Sequence, residues 1–176
     1  LDVAFVTNAV SISQELAENL MVCRWVAMSV DSGSRAQYAA IKGRDKFDEV
    51  TANIRWLSDI RRSTGSKVDL CFKVVVLPEN MHSIFEICKL AKELGVQDFH
   101  VRPVDFERSD IEGNKKLAID VKAVNEQFAK CHAIETQDFR VYTVTHKFDP
   151  EFHVKHDFTR CFPTLILPLL TDGNCY

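Results

Sequence analysis

The chain has 176 residues, 46% hydrophobic and 27% charged, with 22 basic against 25 acidic residues and a net charge of −3. That is the make-up of an ordinary soluble globular protein of about one domain, long enough to bury a core without metal or disulfide staples. The slight acidity argues against a broad nucleic-acid footprint. The longest apolar runs, Val74–Leu77 and Leu165–Leu170, fall far short of the ~20 residues of a membrane-spanning helix.

The residues then alternate between strand and helix patterns. Val3–Val6 reads as a short apolar strand ending in Thr7-Asn8, after which Ser13 can cap a helix carrying Leu16, Leu20 and Cys23 on one face. Trp25–Val30 is the second strand, followed by the polar turn Asp31-Ser32-Gly33-Ser34 and a loop with Tyr38, Ile41 and Gly43. Asp45 is expected to cap the longest helix, with Phe47, Val50, Ile54 and Leu57 as its buried stripe and Gly65 as its stop. Leu70–Leu77 is a nearly continuous apolar run interrupted by Lys73 and ended by Pro78, the pattern of a parallel strand covered on both faces.

Asn80 or His82-Ser83 opens the next helix, with Ile84, Ile87, Ala91 and Leu94 on one face and Gly95 after it. Phe99–Val104 is the fourth strand. Asp120 precedes a helix with Val121, Val124, Phe128 and Cys131, and Phe139–Val144 is a fifth strand by alternation. Repeated strand–helix units imply right-handed crossovers and a parallel α/β sheet, either open and doubly wound or an arc of a barrel. The stretch from His146 to Arg160 is polar and irregular, and Cys161–Tyr176 reads as a separate short β element.

In such a sheet, chemistry gathers at the carboxyl ends of the strands. Those ends carry Thr7-Asn8, Ser29 with Asp31, Glu79-Asn80, and Arg102 with Asp105, a set suited to a polar ligand with hydroxyls and a carboxylate. Ser29 and Asp31 lie two apart and can share a ribose diol; alternatively Asp31 bonds the backbone of Gly33 in an Asx turn. Arg102 needs an acidic partner such as Asp105 or an anionic ligand. His146, His153 and His156 lack a third ligand at a metal-like spacing and read as a solvated linker. Neither GxGxxG nor GxxxxGK[ST] nor GxSxG occurs, which weakens the doubly wound dinucleotide architecture. The cysteines form no CxxC or CxxxC pair, so a reducing, cytoplasmic setting is expected rather than a disulfide framework. The start at Leu1 without methionine suggests a piece of a longer protein.

The ordered strand ends resemble the radical S-adenosylmethionine enzymes. VTNA at Val6–Ala9 matches the family's TNG turn with Ala9 in place of glycine, and RWVAMSVDSG at Arg24–Gly33 carries its SxD turn. GRDKFDEVTANI at Gly43–Ile54, VVVLPEN at Val74–Asn80 and AKELGVQDFHVRPV at Ala91–Val104 follow in the family's order. Cys161, eleven residues and then Gly173 are similar to the opening of a SPASM-type auxiliary-cluster domain. The resemblance implies a partial TIM-like (β/α) barrel over residues 1–145, about strands three to six of six. It implies a linker over 146–160 and the start of a SPASM-like domain over 161–176.

It further implies S-adenosyl-L-methionine as cofactor, bound by Thr7, Asn8, Ser29, Asp31, Asn80, Arg102 and Val104, with Asn80 and Arg102 facing cofactor or substrate. The catalytic 4Fe–4S cluster would be held by a CxxxCxxC motif that this sequence does not contain, so the chain alone would be inactive. Cys161 would ligate a possible auxiliary 4Fe–4S cluster. The substrate would be a small molecule or peptide, the electron donor a flavodoxin or ferredoxin, and neither nucleic acid nor membrane a partner. Two other readings stay open: a different α/β-barrel enzyme with Lys73 as a strand-borne amine, of aldolase or isomerase type, and a small α/β ligand-binding domain.

Overall fold

The structure is a computed structural model in which residues 2–103 and 119–145 are described. Val104, Asp105, Cys161 and the three histidines of the polar tract lie outside them, as do the linker and the SPASM-like segment. Five strands, β1 (Ala4–Thr7), β2 (Trp25–Ser29), β3 (Asp69–Val76), β4 (Asp98–Pro103) and β5 (Arg140–Thr143), form one sheet in sequential order with every pair parallel. The helices between them are α1 (Gln14–Leu20), α2 (Arg35–Lys42), α3 (Phe47–Thr64), α4 (Ile84–Glu93) and α5 (Val121–His132).

Sequential order decides between the two architectures. When each right-handed crossover moves the chain one strand in the same direction, every helix lands on the same side of the sheet. A doubly wound sheet reverses direction and covers both faces; this one does neither. The described chain is an open parallel sheet with β1 and β5 as edges, compatible with an arc of a barrel.

The side chains sort accordingly. Residues paired in register point to one face. Val26, Leu70, Phe72, Val74, Val76, Phe99, Val101 and Val141 are all buried beneath the helices. Leu20, Ile54, Leu57, Ile84, Ile87, Cys88 and Phe128 close the same core from the helical side. Full burial of one such aliphatic side chain stabilises by about 1.5–3 kcal/mol, so this layer is the main source of cohesion.

The helix ends follow the expected logic with two exceptions. Ser13 caps α1 by accepting from Leu16 N–H, and Asp120 caps α5 by accepting from Ala123 N–H. Gly65 ends α3 with φ 68°, a left-handed conformation glycine enters freely. The first exception is α2, which fills the segment read as a loop. Ser34 caps it, Gly43 ends it at φ 68°, and Tyr38 alone among its side chains is buried, so its apolar stripe is too narrow to announce a helix. The second is Asp45, which does not cap α3. Lys46 occupies that position without a side-chain bond, because the Asp45 carboxylate is drawn to Arg35 Nε at 2.6 Å. Asp48 and Glu49 supply the negative charge in the first turn instead.

No helix among the described residues is long and apolar enough to cross a membrane.

Candidate functional site on the open sheet face

The alternate residues of the same strands form the second face, which no described helix covers. Register aligns Ser29, Lys73, His100 and Tyr142 in one row across β2 to β5. The row beneath is Val6, Ala27, Cys71, Asp98 and Arg140, and Val75 aligns with Arg102 above. Phe72 and Val74 face the helices, so Lys73 faces the open side. This face is therefore polar where the other is aliphatic.

Its two ends differ electrostatically. Toward the amino ends of the strands the charges neutralise one another: Arg140 Nε donates to Asp98 at 2.7 Å, Arg140 Nη2 lies 2.9 Å from Asp69, and Arg24 lies 3.9 Å from the same carboxylate. Burial raises the Asp98 pKa even against the pull of Arg140, while the Asp98 carboxylate pushes the Arg140 pKa up. Beside them, burial pushes the Cys71 thiol up to about 12, so it stays protonated. The Lys73 ammonium lies 5.5 Å from the centroid of the Trp25 ring, a cation–π contact that folds the lysine down along the face.

Toward the carboxyl ends the balance is different. His100 is half-buried, and its ring meets the Tyr142 ring edge-on at 6.3 Å. Arg102 is exposed. Burial, with Lys73 and Arg102 nearby, lowers the His100 pKa, so the ring is held toward its neutral form. Among the described residues no carboxylate pairs with Lys73, His100 or Arg102.

The rim above this face is built by residues named from the motifs. Ala9 and Asp31 both adopt left-handed backbone, with φ 59° and 63°. Such non-glycine residues persist only where the surroundings over-determine them. For Ala9, Thr7 Oγ1 accepts its N–H at 3.0 Å, and Asn53 Nδ2 of α3 donates to the carbonyls of Ala9 at 2.9 Å and Val10 at 3.1 Å. Asn8 Oδ1 accepts from Val10 N–H at 3.1 Å in an Asx turn.

For Asp31, one carboxylate oxygen accepts from Val75 N–H at 2.7 Å and the other from Lys42 Nζ. Its carbonyl accepts from Asn80 Nδ2 at 2.8 Å. Asn80, 1% exposed, also donates to Val75 carbonyl and accepts from Leu77 N–H, so both its amide hydrogens are spent and its oxygen is engaged. Asp31 and Asn80 thus come together as a buried brace between the β2 and β3 loops. The Asx turn onto Gly33 does not form: Gly33 N–H donates to Gln37 Oε1 at 2.9 Å instead. Gly33 itself permits close approach of α4, since an added Cβ would stand 3.0 Å from Ile87 Cγ1.

The expected site residues therefore divide. Ser29, Asn8 and Arg102 sit at or beside the open face, whereas Thr7, Asp31 and Asn80 spend polar atoms on the loops, as Asn8 does with its Oδ1. Asn53, His100 and Tyr142 carry no strand-end motif that marks them in the sequence. The strand alternation that puts His100 two before Arg102 could have found the histidine, and a helix-interior asparagine could have drawn attention to Asn53. Two shallow hollows lie along α3 on the helical side, away from this face.

No protein-family model matches the sequence, and no curated protein matches it significantly. Solved structures do. SuiB of Streptococcus suis shares 16% identity at a TM-score of 0.61 over 85% of this chain and 35% of its own. SuiB bound to S-adenosylmethionine matches at 0.59 and 16% identity over 86% of this chain and 36% of that one. SuiB bound to the precursor peptide SuiA matches at 0.57 and 14% identity over 80% and 31%. The chain thus spans about a third of the solved chains it matches, and what it shares with them is the fold.

Proposed function

We propose that this chain is part of a radical S-adenosylmethionine enzyme acting on a peptide, with cofactor and substrate held on the open sheet face. The observation that carries this reading is the fold shared with a protein seen bound to S-adenosylmethionine and to a precursor peptide. The strand-end motifs that resemble the radical enzymes support it, because they fall on one rim in that fold.

The donor chemistry fits the cofactor. A ligand with a diol and a carboxylate needs hydroxyl, amide and cationic partners not already consumed by the protein. Ser29 offers its hydroxyl and Asn8 its amide N–H groups beside β1 and β2, the Asn8 Oδ1 being taken by Val10 N–H. Thr7, Asp31 and Asn80 would act by holding the loops, and Val104 would lie beside the adenine. S-adenosylmethionine together with a 4Fe–4S cluster would supply hydrogen-abstracting chemistry; the residues of this chain would bind the cofactor, orient it and exclude water. No group of three His, Cys, Asp or Glu side chains among the described residues could hold a metal, so the cluster's ligands would come from elsewhere. Cys161 would ligate an auxiliary cluster, and a flavodoxin or ferredoxin would deliver the electron.

Equilibrium dialysis with S-adenosylmethionine tests the reading. Saturable binding weakened about fivefold by Ser29→Ala supports it, the scale of one neutral hydrogen bond. Absence of saturable binding at millimolar ligand rejects it.

The open-face orientation of Lys73 favours a second reading, a Schiff-base enzyme. The contact with Trp25 works against it, because a ring face stabilises the ammonium rather than the free amine. Borohydride trapping of a carbonyl compound on Lys73 would establish the second reading over the first.

A further inference from the structure

On the basis of that reading, we propose that Arg102 and His100 hold a carboxylate of the substrate, an acidic side chain of the peptide, at the β4–β5 end of the open face. Ser29 lies on β2 and Arg102 on β4, two strands across at ~4.8 Å each and two residues further along at ~3.3 Å each, which separates them by about 12 Å. Between them Lys73 folds away over Trp25, so it does not bridge the two positions. The face therefore offers two polar sites, and the one around Ser29 is assigned above to the cofactor.

The groups facing His100 are Lys73 from β3, Asp98 and Arg102 from its own strand, and Tyr142 from β5. Asp98 is bonded to Arg140 below. Arg102 has no carboxylate partner among the described residues, and the Tyr142 ring, 48% exposed, walls the outer side. The Arg102 guanidinium beside an imidazole held toward neutrality, with the Lys73 ammonium drawn onto the Trp25 ring, matches a monoanion better than a phosphate dianion. The guanidinium fork can take both oxygens of a carboxylate, and the imidazole can add a further donor. The occupant is thus chosen by charge complementarity.

The test uses the whole chain and two blocked tripeptides, acetyl-Gly-Glu-Gly-amide and acetyl-Gly-Gln-Gly-amide, followed by NMR of the histidine ring protons. His100→Gln assigns the signal. The Glu peptide should bind about tenfold more tightly than the Gln peptide, the scale of one charge-assisted hydrogen bond. It should also raise the midpoint of the His100 titration, because a nearby carboxylate favours imidazolium. Arg102→Gln should abolish that preference, and Arg102→Lys should keep part of it. Equal affinity for the two peptides, or a His100 midpoint unmoved by the Glu peptide, overturns the proposal on the unaltered chain. Displacement of the Glu peptide by S-adenosylmethionine also overturns it, since the cation would then serve the cofactor. If dialysis finds no cofactor binding while the Glu peptide behaves as expected, the carboxylate site stands and the enzyme reading falls.

Discussion

Asn53, in the middle of α3, reaches across to the carbonyl oxygens of Ala9 and Val10 with a single amide nitrogen, at 2.9 and 3.1 Å. The contact ties the loop after β1 to a helix far along the chain, and it explains why an asparagine occupies a helix interior where its propensity is poor. Asn53→Ala should destabilise by about 1–3 kcal/mol, the cost of two part-buried carbonyls losing their donor. Asn53→Asp should cost at least as much, because a carboxylate has no N–H to give. Urea unfolding at unchanged m-value measures both.

Ala9 sits in left-handed backbone with no exposed surface. Ala9→Gly relieves the backbone but loses a buried methyl and loosens the unfolded chain, so it should fall within about 1 kcal/mol of the unaltered protein. Ala9→Val should lose about 2 kcal/mol or more, because a β-branched side chain is strongly disfavoured at positive φ. Thermal unfolding of the pair separates backbone strain from packing.

Arg140 is the joint donor to Asp98 and Asp69. Its side chain is 44% exposed, so solvent screens part of the pairing, yet that of Asp98 is only 9% exposed. Arg140→Met should cost about 2 kcal/mol, mostly from leaving the Asp98 carboxylate unpaired. Adding Asp98→Asn should recover part of the loss, and a double-mutant cycle reads the coupling directly.

Two groups make stability depend on pH in the same direction. The Glu135 carboxylate accepts from Val141 N–H at 2.7 Å and lies 3.0 Å from His132, and these bonds, the Val141 one foremost, hold its pKa below the ordinary 4.5. Its contribution is present above pH 4.5 and fades as pH falls through the lower folded value. The His100 pKa is lowered from 6.5 by burial, so the unfolded chain binds that proton more readily, and stability declines as pH falls below 6.5. Urea midpoints across pH 3 to 8, an interval of about five units around both groups, should show His100→Gln flattening the upper part of the decline and Glu135→Gln the lower part.

Much of this architecture was legible from local pattern. The strand–helix alternation depends on near-neighbour periodicity and capping, so β2, β3, α3 and the caps at Ser13, Gly65 and Asp120 could be read directly. The absence of nucleotide-binding glycine motifs disfavoured a doubly wound sheet, and the sequential strand order agrees. Helix α2 escaped because a short helix burying one tyrosine has almost no periodic signal. Asp45 misled because whether it caps α3 depends on where Arg35 lies in space.

The site was harder to read than the fold. Sequence determined which polar residues stand at strand ends, because alternation and Pro78 mark those ends locally. It could not say which are spent on the protein itself. Only the tertiary structure decided that Asp31 and Asn80 brace two loops while Arg102 stays unpaired among the described residues, since the partners Val75, Lys42 and Leu77 belong to other segments. Register did the rest: pairing β2 to β5 in parallel placed Ser29, Lys73, His100 and Tyr142 in one row, an alignment set by hydrogen bonds between strands that no single segment encodes.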